Sequence, residues 1–118
     1  MLHDSPTGKR ISHRYLEAPG VHVLTVDVAM AEISAKLARS GRAEDVPEAL
    51  QGIEEMSELI PIAREVAEGA GPLLLQLRRV DPDASVADAV MLAASRSREA
   101  FLVSGDRCFE GQRDVLKA

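Results

Sequence analysis

Three acids, Glu32, Asp88 and Asp106, have the residue types and settings to share one chemical task. Asp88 falls in the first turn of the helical pattern SVADAVMLAAS. Asp106 ends the Ser104-Gly105-Asp106 stretch that follows a short apolar run. Glu32 follows Ala31 early in a helical pattern that opens just after a β-branched run. In open α/β folds ligands sit outside the carboxyl ends of parallel strands, so all three elements point an acid toward one rim. Carboxylates converging there repel each other unless a cation lies between them, and a hard divalent ion such as magnesium suits oxygen donors. Each acid also has a structural use. Ser85-x-x-Asp88 matches a capping box, Glu32 fits a solvated helix face, and Asp106 fits an ordinary turn. Arg96, Arg98, Arg107 and Arg113 surround the same region, where they serve either solvated faces or phosphate contacts.

These acids need a scaffold, and the chain predicts one in which strands alternate with helices. Thr7–Leu16 reads as helical and stops at Ala18-Pro19-Gly20. Val21–Thr25 reads as a strand, and Asp27 is placed to cap a helix over Val28–Arg39. Met30, Ile33 and Leu37 fall at helical spacing. Pro47 suits the first turn of a helix to about Glu58, and Leu59–Ile62 suits a brief strand. From Ala63 a helical pattern meets Gly69, Gly71 and Pro72, which predict a kink or two short helices. Asp81-Pro82-Asp83 is a turn, Ser85 opens a helix to about Arg98, Ala100–Val103 is a strand and Val115–Leu116 is a last one. Alternation of this kind predicts an α/β sandwich with a mainly parallel sheet, one domain over residues 1–118.

Other chemistries find no footing. His3, His13 and His22 lie in the N-terminal third with no cysteine at ligand spacing, and the lone Cys108 has neither a disulfide partner nor a predicted base. Gly69-Ala70-Gly71 lacks the rest of a phosphate-binding loop. A net charge of −5 argues against general coating of nucleic acid, though it leaves room for a nuclease whose acids hold cations. No run suits a membrane span, and single-cysteine usage makes a reducing cytoplasm the default compartment.

Three segments carry a family resemblance. LTVDVAMAEIS (24–34), SVADAVMLAAS (85–95) and FLVSGDRCF (101–109) resemble, in order and spacing, the acidic segments of PIN domains, most closely the VapC-type toxins of toxin–antitoxin pairs. The likeness runs over about residues 8–118. It implies a PIN-like three-layer α/β sandwich and a magnesium- or manganese-dependent endoribonuclease acting on RNA. It also implies a homodimer captured by a VapB-like antitoxin. By position, Glu32, Asp88 and Asp106 take the catalytic and metal-binding roles, and Ser104 takes that of the supporting hydroxyl. Arg96 and Arg107 are the nearest candidates for the RNA backbone.

One departure stands out. The family opens with an apolar, usually central strand ending in Asp-Ser or Asp-Thr. Here Asp4-Ser5 follows only Met1 and Leu2 as apolar residues and lies 28 residues before Glu32, fewer than the family spacing. The expectation is therefore an N-terminally truncated domain lacking the first strand and first acid, with Asp4 as the substitute ligand to test. Loss of a central strand leaves two neighbours with unpaired edges, which favours a homodimer or a domain-exchanged oligomer. Loss of an anionic ligand predicts weak or absent nuclease activity. The alternative function is a non-catalytic PIN-fold module that binds a protein partner or itself.

Overall fold

The structure, a computed structural model, describes residues 21–117. The predicted helix Thr7–Leu16, together with Asp4, His3 and His13, lies outside the described residues. Strand β1 (Leu24–Val26) leads into helix α1 (Val28–Arg39), and a 3-10 turn (Ala43–Asp45) leads into α2 (Val46–Met56). Strand β2 (Glu58–Ile60), helix α3 (Arg64–Val80), helix α4 (Val86–Ser97) and strand β3 (Leu102–Ser104) follow. A 3-10 turn (Arg107–Phe109) connects to β4 (Val115–Lys117). The element order is the one expected, with β1 and β2 displaced by one to three residues. Asp27 occupies the N-cap of α1 but makes no side-chain capping bond, since its backbone is already helical (φ −57°, ψ −29°) and does not turn the carboxylate back onto the first-turn amides.

Gly69, Gly71 and Pro72 do not divide α3, which is assigned as one helix of 17 residues. Val66, Ala70, Leu73 and Leu77 recur at helical spacing and are buried, so packing outweighs propensity. Pro72 and Glu68, the residue whose carbonyl loses a helical donor to the proline, both lie on the exposed side of α3.

The strands form two separate parallel pairs in place of one sheet: β1 with β2 (Leu24 opposite Glu58) and β3 with β4 (Leu102 opposite Val115). Both pairs pack on a single core. Helices α3 and α4 supply most of it, through Val66, Leu73, Leu77, Val90 and Leu92, and Val26 of β1, Leu102 of β3 and Val115 of β4 pack against it. Helix α1 touches both β1 and α4, and α4 touches β3, so the helices link the two pairs. Thr25 is the buried polar residue of β1. Its hydroxyl lies 2.7 Å from that of Ser57, which donates in turn to the Ile53 carbonyl at 2.8 Å, so no buried oxygen is left unpaired there.

Helix α4 ends on Glu99, a non-glycine residue in the left-handed region (φ 52°). Beyond it the Ala100 N–H closes back on the Ser95 carbonyl at 2.8 Å, a helix-ending turn that favours glycine. Glu99→Gly relieves left-handed strain and loses some chain entropy, for a net gain of about 0.5–1 kcal/mol. A urea titration should show the midpoint rising with unchanged slope.

Candidate functional site

Asp88 and Asp106 are each positioned by a different local device. At the start of α4 the Ser85 hydroxyl accepts from the Asp88 N–H at 3.1 Å, and the Asp88 carboxylate accepts from the Ser85 N–H at 2.9 Å. The capping box is therefore complete, and one carboxylate oxygen of Asp88 is committed to it. Beyond β3, the Ser104 hydroxyl accepts from the Asp106 N–H at 3.1 Å, which tightens the turn and leaves the Asp106 side chain exposed. The main-chain carbonyl of Asp106 then accepts from Phe109 at 3.2 Å, starting the 3-10 turn that buries Cys108 and Phe109.

Cys108 is buried within reach of the charges of both acids. Burial, foremost, and then the negative charges of Asp88 and Asp106 push its thiol up from an ordinary 9.0 to about 12, with Asp88 also acting as hydrogen-bond acceptor. The thiol is thus protonated at neutral pH, which makes it a packing group and neither a nucleophile nor a metal ligand. The absence of a predicted base in the sequence already favoured packing; burial first, and then the surrounding acids, keep the thiol protonated. Because the folded chain keeps this proton while the unfolded chain loses it near pH 9, folding stability contributed here is full below pH 9 and falls as pH rises toward 12. Cys108→Ala should flatten that alkaline decline when unfolding free energy is measured between pH 8 and 10.5.

Asp81 joins the same neighbourhood from the turn between α3 and α4. Its carboxyl is held below the usual range, first by the Asp83 N–H, which donates at 3.0 Å, and also by Arg107, whose guanidinium lies at 3.3 Å. Arg107 is thus paired already. Arg96 is paired more firmly: its Nε and Nη2 reach the two oxygens of Asp114 at 2.6 and 3.2 Å, and Nη2 also reaches Gln112 at 2.7 Å. That fork lowers the Asp114 pKa and ties α4 to the entry of β4. Asp81 and Asp114, the partners of the two arginines, carry no sequence signal beyond their charge, because the pairings span 26 and 18 residues. His22 is exposed, 3.1 Å from Glu58, in keeping with a surface role.

Glu32 sits half-buried on α1. Among the described residues no three His, Cys, Asp or Glu side chains are grouped so as to hold a metal ion. The charges of Asp88 and Asp106 both act on Cys108, and Glu32 is not among the groups that do. Asp88 is further constrained because its carboxylate serves the helix cap. The donor chemistry suits magnesium or manganese, but the described donor set falls short of a closed centre.

The fold class defined here is mixed α/β, with short parallel strand pairs under a majority of helix. No family model and no curated protein sequence matches the chain. Solved structures do. It is similar to a chain of a toxin–antitoxin complex from Klebsiella pneumoniae, with a TM-score of 0.65 at 16% identity, over 95% of this chain and 83% of that one. It is also similar to a chain of VapBC2 from Rickettsia felis bound to a DNA fragment from their promoter, with a TM-score of 0.67 at 15% identity, over 97% and 85%. At such identities the likeness is one of fold, and the shared fold agrees with the one that the VapC-type resemblance implies. Among the described residues no helix is long and apolar enough to cross a membrane.

Proposed function

We propose that this chain is the VapC-like toxin of a type II toxin–antitoxin pair, a single PIN-like domain acting as an endoribonuclease of low activity in the cytoplasm. The observation that carries the reading is the fold shared with chains of toxin–antitoxin complexes, in which the charges of Asp88 and Asp106 both act on one buried thiol. In this reading the two carboxylates, with Glu32, form the acidic end that faces an RNA phosphate. Magnesium or manganese is the cation such oxygens take, and Asp4 is the remaining candidate ligand. Ser104 positions Asp106 through its turn bond, and the Ser85 box positions Asp88. Protonated Cys108 adds no charge of its own. Arg107, exposed and paired at 3.3 Å, exchanges Asp81 for a phosphate more readily than the doubly bonded Arg96 exchanges Asp114. A homodimer and a VapB-like antitoxin complete the assembly.

The test is cleavage of structured RNA with manganese. Slow cleavage by the unaltered chain, reduced to background by Asp88→Asn and by Asp106→Asn, is the expected result. Unchanged cleavage in both variants would refute the assignment. The incomplete donor set favours a second reading, a non-catalytic module that keeps the fold and binds a protein partner. RNA left intact at every manganese concentration, with a VapB-like antitoxin still bound stoichiometrically, selects that reading.

A further inference from the structure

A single carboxylate oxygen joins the chain before α4 to the chain after β3. Asp81 opens the turn over residues 81–84, in which the Ala84 N–H donates to the Asp81 carbonyl at 3.0 Å and Pro82 presets the first central position. The Asp83 N–H donates to Asp81 Oδ1 at 3.0 Å, which pins the side chain to its own turn. Arg78 braces that turn from α3, its Nε donating to the Ala84 carbonyl at 3.1 Å. The same Oδ1 of Asp81 then accepts from Arg107 Nη2 at 3.3 Å, across 26 residues of sequence. The Asp81 side chain is 14% exposed and that of Arg107 67%. One partner is therefore fixed in place, and the other is a long arm that reaches it.

The bond matters for what lies beside its two ends. Asp81 comes shortly before Ser85, whose capping box orients Asp88, and Arg107 follows Asp106 directly. Each turn is also seated in the core, one through Ala84 and the other through Cys108 and Phe109. Apolar seating is non-directional, so it leaves room for a directional bond to set how the turns face each other.

We propose that Asp81 is a positioning residue, whose Oδ1 clasps the turn leading into α4 to the turn following β3 and so holds Asp88 and Asp106 in a fixed relation in the free chain. Its use rests on the reading of those two acids as the acidic end of the site; the clasp itself does not. Arg107 spends only Nη2 on Asp81, and when it leaves for a phosphate, Asp81 keeps the Asp83 N–H. Engagement of Arg107 and the placement of the two acids are thereby coupled.

The test is amide exchange in the full chain without RNA, read across the clasp. Arg107→Met should speed exchange at Ala84 and Asp88, and Asp81→Ala should speed it at Asp106 and Phe109, each by about two- to fivefold, the worth of a partly exposed ion pair. Arg107→Lys should restore slow exchange at Ala84 and Asp88. Asp83→Asn, which removes a neighbouring charge and keeps the Asp83 N–H, should leave Asp106 and Phe109 unchanged. The double variant of Asp81→Ala and Arg107→Met should exceed neither single effect, because both remove one bond. Effects confined to the substituted turn, equal behaviour of Met and Lys at position 107, or additive effects in the double variant would overturn the clasp. Absence of RNA cleavage would overturn the nuclease reading and leave these exchange results standing.

Discussion

Leu92→Ala is expected to lower the unfolding free energy by about 2–5 kcal/mol. Leu92 is fully buried on α4, in the cluster that α3, α4 and the 3-10 turn at Cys108 build together. Truncation removes the transfer free energy of the lost methyl groups and leaves a cavity that closely packed helices cannot collapse into. A domain of this size is stable by only about 5–15 kcal/mol, so the variant sits near the threshold of folding. Leu77, equally buried on the facing α3, should behave alike. Leu75, two residues away on α3 and 67% exposed, is the control, and Leu75→Ala should shift stability by no more than about 0.5 kcal/mol. Urea unfolding followed by circular dichroism measures all three. A loss at Leu92 no larger than that at Leu75 would mean that α3 and α4 do not pack as described.

The second large effect separates two duties of one side chain. Asp88 is both the reciprocal partner in the α4 cap and a negative charge beside Cys108. Asp88→Ala deletes the acceptor for the Ser85 N–H and should cost about 0.5–2 kcal/mol. Asp88→Asn keeps an oxygen in the same position, so it should retain most of that stability. Both variants remove the charge and should bring the Cys108 pKa down from about 12, though burial, the larger cause, keeps it above its ordinary 9.0. Thiol alkylation as a function of pH reads the second effect, and chemical denaturation reads the first. Equal destabilisation by Ala and Asn would show that the charge, and not the cap, is what α4 uses. The same Asn variant serves the RNA assay, where loss of cleavage in a folded chain is informative because the cap survives.

The elements were legible because their signals are local. Pro47 marks the start of α2, the Ser85-x-x-Asp88 spacing states a capping box that the structure completes, and the apolar run before Ser104 is β3. Misreadings arose where a local rule met a tertiary demand. Gly69, Gly71 and Pro72 predict an interruption, but four buried side chains on the opposite face hold α3 as one helix. Asp27 has the right type for a cap and the wrong backbone for it.

Sequence by itself determined the order of strands and helices and the family of folds that the three acidic segments resemble. Those properties depend on residue type and on periods of two to four positions, which any chain displays in its order of residues. Tertiary structure alone decided which strands pair, that they pair as two sheets rather than one, that Arg96 and Arg107 are tied to Asp114 and Asp81, and that burial and two carboxylates raise the pKa of a thiol. Each of these joins residues far apart along the chain, and their meeting is set by how helices seat on strands and bury a common core.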